Sequence, residues 1–141
     1  MLQKKNKISL DTVLAGRKVN AKLKDYIFQE VKKLILRIKK NKKPFKVLIS
    51  GITYKKNVAD LRNSYALEIY RKLKKTFKSI YAYDEFCDHF NSKKYNIIQK
   101  LGDNIKYDLV VFLVDHKTNK NLYKRIKQKK IKIYDPFKFY S

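Results

Sequence analysis

The residues best suited to chemistry lie in one loop, from Gly51 to Ser64. Gly51 permits a tight turn or a close approach of another backbone segment. Asn63 or Ser64 can cap the helix predicted to follow, and the start of a helix favours an anion. Lys55 and Arg62 bring cations to the same place, and an arginine can hold a phosphate or carboxylate through two parallel hydrogen bonds. These residue types predict a phosphate-binding loop.

The same loop has a second interpretation. In a chain rich in lysine, it is also consistent with a solvated basic loop in which Asp60 pairs with Arg62. The sequence contains neither a P-loop nor a Gly-x-Gly-x-x-Gly pattern, so no nucleotide-binding signature separates the two. Residue chemistry alone leaves both interpretations open.

The cysteine and the histidines do not predict catalysis. Cys87 is the sole cysteine, which excludes an intrachain disulfide and a cysteine-based metal cluster. No partner that would activate its thiolate is evident, and we do not expect His89, close to it in sequence, to pair with it. His116 is expected to end a strand rather than to act as a base. We therefore predict no catalytic residue and no metal ligand.

The elements that position the loop alternate between strand and helix. Strands are predicted near 45–50, 79–83, 108–114 and 131–134, and helices over 10–40, 64–77 and 118–128. This order predicts an α/β fold: a Rossmann-like open parallel sheet flanked by helices and preceded by a long N-terminal helix. We expect residues 1–43 to form a central dimerisation-helix segment and residues 44–141 to form a ligand-binding domain.

Ligands of open parallel sheets bind outside the carboxyl ends of the strands. Three loops are predicted at that edge, covering residues 51–63, 84–92 and 115–118. The end of the chain, from Asp135, is predicted there too. The candidate phosphate-binding loop therefore lies at the edge where a ligand is expected.

The long helix carries an apolar stripe. Leu23, Ile27, Val31 or Leu34, and Ile38 recur at helical spacing. A helix added to so small a domain has no evident partner for such a stripe. We therefore expect it to pack on a second copy of the chain or on another domain.

The formal net charge of +24 is the most conspicuous feature of the composition. A basic chain attracts phosphate polymers non-specifically, and a nucleic-acid-binding protein is one hypothesis. The lysines are scattered rather than clustered, however, and the abundance of Lys, Asn, Ile, Tyr and Phe is typical of AT-rich codons. No apolar run is long enough to cross a membrane, and the first residues do not resemble a signal peptide. We expect a cytoplasmic protein without a membrane or a specific nucleic-acid partner.

Four segments of the sequence, taken in their order along the chain, resemble one enzyme family. Residues 51–64 (Gly-Ile-Thr-Tyr-Lys-Lys-Asn-Val-Ala-Asp-Leu-Arg-Asn-Ser) closely resemble the C-terminal domain signature of the UDP-glucose/GDP-mannose dehydrogenase family. Residues 15–20 resemble an Arg-x-x-Asn segment of its central helix. Residues 81–84 stand where the family has a strand ending in Tyr-Asp-Pro, with Glu85 in place of the proline. Residues 111–117 resemble a stretch found in the branch of the family that oxidises UDP-N-acetylhexosamines.

The resemblance implies roles for four residues. Tyr54 and Lys55 match positions that contact the UDP-sugar in the family, and Arg62 matches one that reaches toward NAD. Lys138 stands near the end of the chain, where the family often has a substrate-binding Arg or Lys, with a shift of one residue. The cofactor implied is NAD, bound mainly by a Rossmann domain that these residues do not include.

The function implied is NAD-dependent oxidation of the C6 alcohol of UDP-N-acetylhexosamine or UDP-glucose to the uronic acid, a step in polysaccharide biosynthesis. We expect this chain to be the C-terminal portion of such an enzyme, inactive alone, forming a homodimer through its N-terminal helix and working with a separate N-terminal half. The alternatives are a non-catalytic UDP-sugar-binding module or a gene remnant, and, behind these, a basic nucleic-acid-binding protein.

Overall fold

A computed structural model describes residues 21–39, 45–54, 57 and 59–140. The predicted strand–helix alternation is confirmed there. In chain order the elements are α1 (Ala21–Lys39), β1 (Val47–Ser50), α2 (Tyr65–Thr76), β2 (Ile80–Tyr83), α3 (His89–Tyr95), β3 (Ile97–Ile98), β4 (Leu109–Phe112), α4 (Asn119–Gln128) and β5 (Lys132–Tyr134).

The five strands form one parallel sheet in the order β3-β2-β1-β4-β5. β1 is central: Val47 aligns with Ile80 of β2 on one side and with Leu109 of β4 on the other. The chain therefore runs outward from β1 in one direction, then returns to run outward in the other. Such a reversal opens a crevice at the carboxyl ends of the strands, between β1 and β4, where ligands bind in open α/β sheets.

Both faces of the sheet are covered, and this explains why the central strands are continuously apolar. Along β4, Leu109 and Val111 face a core shared with α1 and α2, while Val110 and Phe112 face a second core. Leu122 and Ile126 of α4 complete that second core. All four residues of β1 and of β4 are buried, as expected for strands between two helical layers.

The apolar stripe of α1 lies against the body of the same chain. Ile27, Val31 and Ile35 are buried in the core that α2 also lines. Lys24 and Glu68 form an ion pair of 2.9 Å that ties α1 to α2. The expectation that this stripe lacks a partner within the chain was wrong, because α1 lies across α2 and the sheet rather than projecting from them.

Helix α2 begins as predicted. The side chain of Ser64 accepts a hydrogen bond from the backbone N–H of Leu67, which makes it the N-cap, and it donates to the carbonyl of Ile52. Asn63 adopts a positive φ of 59° immediately before it, so the second candidate shapes the turn instead. The N-cap serine thus links the helix start to the loop that follows β1.

Two elements were not predicted. The stretch after residue 84 contains a short helix, α3, and a two-residue edge strand, β3. None of the residues of α3 is buried, so it has no apolar stripe to reveal it in the sequence. Its ends are set locally, because Asp88 accepts from the N–H of Asn91 and Asn96 ends the helix with a φ of 57°.

Two predictions fall on residues that the structure does not describe. The predicted start of the long helix, at residues 10–20, lies outside the described residues, as does the proposed boundary between residues 43 and 44. Among the helices that the structure describes, none has the length and the apolar character needed to cross a bilayer.

Candidate functional site

Gly51 ends β1 with a backbone that other residues rarely adopt. Its φ is +97°, and a Cβ built on it would lie 2.7 Å from the backbone nitrogen of Val114. Its N–H donates to the carbonyl of Tyr83 at 2.9 Å. The sequence prediction of a turn with close backbone approach is confirmed, and the approaching segment is the one after β4.

Asp84, directly after β2, is the centre of a buried hydrogen-bond network. Its Oδ2 accepts from the backbone N–H groups of Ile52 and Thr53 at 2.7 and 2.8 Å, and its Oδ1 accepts from that of Phe86 at 2.8 Å. Nε2 of His116 lies 2.9 Å from the same Oδ2. Burial alone would raise the pKa of Asp84, but these hydrogen bonds, led by that from His116, lower it overall.

His116 connects that network to the candidate ligand loop. Its Nδ1 lies 2.8 Å from the backbone N–H of Asn57, and its Nε2 lies 2.9 Å from Oγ1 of Thr53. Because an N–H can only donate, Nδ1 must be the accepting nitrogen and Nε2 carries the proton. The imidazole is therefore neutral and donates to Asp84, so their 2.9 Å contact is a hydrogen bond to a carboxylate rather than an ion pair.

The loop is closed on itself and is held at its middle by the loop after β4. The N–H of Tyr54 donates to the carbonyl of Asp60 at 2.5 Å. Oδ1 of Asn57 accepts from the N–H of Lys117 at 3.1 Å, in addition to the bond between Asn57 and His116. The loop after β1 and the loop after β4 therefore form one unit at the carboxyl edge of the sheet.

The crevice between β1 and β4 is braced from the other side by α4. Oγ of Ser50 donates to Oδ1 of Asn119 at 2.8 Å, and Nδ2 of Asn119 donates to the carbonyl of Val114 at 3.1 Å. Asn119 is the first residue of α4 and is buried. Polar side chains thus fix the ends of both central strands.

The predicted site residues are not all brought together. Tyr54 lies in the loop, partly buried, and Lys55 falls outside the described residues. The guanidinium of Arg62 lies 3.1 and 3.2 Å from the two carboxylate oxygens of Asp60, and its side chain is 88% exposed. The pairing of Asp60 with Arg62 that the alternative interpretation proposed is thus present in this structure.

Lys138 lies in the C-terminal tail, next to α1. The tail is turned by Asp135, whose carboxylate accepts from the N–H groups of Phe139 and Tyr140. Lys138 has a φ of 55° and lines a cavity of about 200 Å³, between the tail and α1, whose lining includes neither Tyr54 nor Arg62. The tail does reach the loop region elsewhere, since the hydroxyl of Tyr140 donates to the carbonyl of His116 at 3.2 Å.

Cys87 is an inert thiol in this fold. It is buried, and burial together with nearby carboxylates raises its pKa to about 12. A thiol with such a pKa forms little of the thiolate that a nucleophile requires. His89 is exposed and lies at the start of α3, so the two side chains do not form a pair. Within the described ranges, no group of three or more His, Cys, Asp or Glu side chains is arranged to hold a metal ion.

Comparison with known proteins identifies this architecture. Residues 48–141 match the model of the UDP-glucose/GDP-mannose dehydrogenase family, UDP binding domain. A UDP-N-acetyl-D-glucosamine 6-dehydrogenase of Salmonella typhi is 27% identical over 114 residues, which are 79% of this chain and 27% of the relative. Protein CapL of Staphylococcus aureus is 30% identical over 109 residues, or 76% of this chain and 26% of the relative. The chain thus spans about a quarter of the length of these relatives.

Solved structures show the same fold. A UDP-N-acetyl-mannosamine dehydrogenase from S. aureus matches 89% of this chain and 32% of its own, with a TM-score of 0.63 at 24% identity. A UDP-D-ManNAc dehydrogenase from Pyrococcus horikoshii matches 86% of this chain and 28% of its own, with a TM-score of 0.64 at 17% identity. Given its five-stranded parallel sheet and the match over residues 48–141, this chain belongs to the UDP-glucose/GDP-mannose dehydrogenase family.

Proposed function

We propose that this chain binds a UDP-sugar at the carboxyl edge of its sheet, as the substrate-holding part of a UDP-sugar 6-dehydrogenase. One observation carries the proposal: the segment with the family signature is the loop after β1, at the point where the strand order reverses. Open α/β sheets bind ligands at that point. The substrate class we propose is UDP-N-acetylhexosamine or UDP-glucose, the first being favoured by the names of two relatives.

We assign the diphosphate and its surroundings to the loop. Lys55 supplies the cation, and Tyr54 flanks it from a partly buried position. Lys138 is the third proposed contact, from the tail. Arg62 is assigned to NAD, and its exposed pairing with Asp60 does not oppose this, because a surface ion pair in water is weak and exchanges readily.

We propose that catalysis uses groups outside the region that matches the family model. NAD would accept the hydride from the sugar, and the relatives are about four times as long as the matched region. Cys87, with its raised pKa, is not suited to forming a covalent intermediate. We therefore propose that this chain alone reduces no NAD, and that it acts in the cytoplasm with an N-terminal dehydrogenase half. A binding module without catalysis, or a gene remnant, is the alternative.

We also propose a homodimer, but through a different face of α1 from the one that the sequence suggested. Of the stripe of α1 that motivated it, Ile27 and Val31 are buried within the chain, and the partly buried Leu23, Leu34 and Ile38 pack against the same core. Leu36, on the same helix, is 50% exposed and is one of two large exposed apolar side chains among the described residues. We propose that self-association uses the face of α1 that carries Leu36.

The proposed UDP site is tested by comparing two adjacent lysines. In the chain reconstituted with an N-terminal half, Lys55→Ala should weaken UDP-sugar binding by about 1.5–3 kcal/mol, the range for a charged hydrogen bond. Lys56→Ala should have much less effect, because the resemblance implies a contact with the UDP-sugar at Lys55 and not at Lys56. Competition by free UDP measures both variants in the same assay.

The comparison separates a specific site from the general attraction of a +24 chain. General attraction would treat both lysines alike and would fade as salt screens it, whereas an enclosed contact persists better. Equal losses of affinity in Lys55→Ala and Lys56→Ala would remove the site assignment.

A further inference from the structure

His116 is the side chain through which the rigid sheet holds the ligand loop. It is buried, and the ring of Phe86 covers it with 4.7 Å between ring centroids. On one side, Nε2–H donates to Asp84, which also accepts from the backbone at the end of β1. On the other side, Nδ1 accepts from the N–H of Asn57. The two nitrogens thus connect a fixed carboxylate to a backbone group in the middle of the loop.

The backbone at Asn57 forms a turn that few residue types adopt. Its φ of 58° is in the left-handed region, which asparagine adopts more readily than most other non-glycine residues. The residue is exposed, so packing does not hold it there. Its N–H and its side-chain Oδ1 are instead both bonded to the loop after β4, at His116 and Lys117.

We propose that His116 is a positioning residue for the UDP-sugar site. By accepting from Asn57, it fixes the position of the loop that also carries Thr53 and Tyr54, and so sets where the proposed contacts of that loop with the ligand lie. His116 itself does not touch the ligand. The identity of the ligand in this inference rests on the proposed function. The other part of the inference, that His116 holds the loop in place, can be measured without any ligand.

Two substitutions separate the two nitrogens of His116. In His116→Gln, the amide nitrogen reaches about as far as Nε2 and can still donate to Asp84, but no acceptor remains for Asn57. In His116→Asn, the shorter side chain places its oxygen near the former Nδ1, so the acceptor for Asn57 is kept while Asp84 loses its donor. Buried Asp84 left with fewer partners destabilises the fold.

The two variants should therefore rank differently in stability and in affinity. His116→Asn should have the lower thermal stability of the two, whereas His116→Gln should have the weaker affinity for UDP. Both variants should fall below wild type in both quantities. The dissociation constant of His116→Gln should rise about 2- to 12-fold, the span that corresponds to one lost hydrogen bond. His89→Gln, at the exposed histidine, is the matched control and should leave both quantities unchanged. If affinity instead follows stability, His116 is merely structural and the proposal is overturned.

Hydrogen exchange decides the structural half independently. The amide of Asn57 should exchange at least about tenfold faster in His116→Gln than in wild type or in His89→Gln, as expected when its acceptor is lost. Asn57→Val, which disfavours the left-handed backbone at an exposed position, should weaken UDP binding to a similar degree. The double variant should be no weaker than the worse single variant, because both break the same link.

Failure of this inference and failure of the proposed function give different results. If the wild-type chain, with or without its N-terminal half, does not bind UDP, the proposed function fails, and the exchange of Asn57 still decides whether His116 holds the loop. If wild type binds UDP and His116→Gln binds it equally well, or if Asn57 exchange is unchanged in that variant, the positioning role fails while the UDP site stands.

Discussion

Replacing Gly51 with alanine should lower the free energy of unfolding far more than the same replacement at Gly102, the other glycine among the described residues. In Gly51→Ala, the new residue must keep a φ of +97°, and its Cβ would lie 2.7 Å from the nitrogen and 2.8 Å from the Cβ of Val114. The left-handed backbone costs about 1–2 kcal/mol. Overpacking against a backbone that must move costs about 1–3 kcal/mol more. We expect a total loss of about 2–5 kcal/mol in the free energy of unfolding.

Urea unfolding followed by far-ultraviolet circular dichroism measures this loss, and thermal unfolding should show a midpoint lower by on the order of 10 °C. The matched control is Gly102→Ala. A Cβ at Gly102 meets nothing within 4 Å and the backbone there has no positive φ, so this variant should lie within about 1 kcal/mol of wild type. Equal stabilities of the two variants would refute the argument that the approach of β1 to Val114 requires glycine.

Two further predictions concern the buried carboxylate and the assembly. The fold lowers the pKa of Asp84, so the ionised carboxylate stabilises the fold fully above the pKa of an unfolded carboxyl, about 4. This stabilisation is lost as the pH falls through the lower pKa of the folded state. Asp84→Asn should therefore be less stable at pH 7 and should lose less stability between about pH 4 and pH 2, as measured by urea unfolding at each pH. For the assembly, Leu36→Glu should shift a dimer toward monomer in sedimentation velocity, and a wild-type monomer at all concentrations would contradict the dimer.

The main elements were predictable because their burial leaves a periodic signal. The strand over Leu109–Phe112 is apolar at every position since helices cover both faces of the sheet, and Tyr65–Thr76 carries its apolar residues at helical spacing. The short helix His89–Tyr95 is exposed throughout and is set by local caps, so no such period exists there. Periodicity also could not say what the stripe of α1 contacts, because it reports that a face is apolar and not which surface covers it.

The loop of the site was predictable, but the network that holds it was not. The turn at Gly51 and the N-cap at Ser64 are local features, so the sequence was enough to indicate them, although it did not indicate that Val114 approaches Gly51. The contacts of Asp84 and of Asn57 with His116 join residues 32 and 59 positions apart, and only the order of the strands brings them together. The Tyr-Asp pair at the end of β2 and the histidine after β4 were visible as parts of the family resemblance, which did not indicate that Asp84 and His116 bind each other.

The most direct test of the UDP site is a titration of the isotope-labelled chain with UDP, followed by amide chemical shifts at about 0.15 M salt, where diffuse attraction is screened. The proposed site predicts saturable shifts at Thr53 and Asn57, at the carboxyl edge. It predicts much smaller shifts at Lys129 and Lys132, which line a basic groove at the opposite edge of the sheet. Shifts of similar size at both edges, growing without saturation, would contradict a UDP site in the loop after β1.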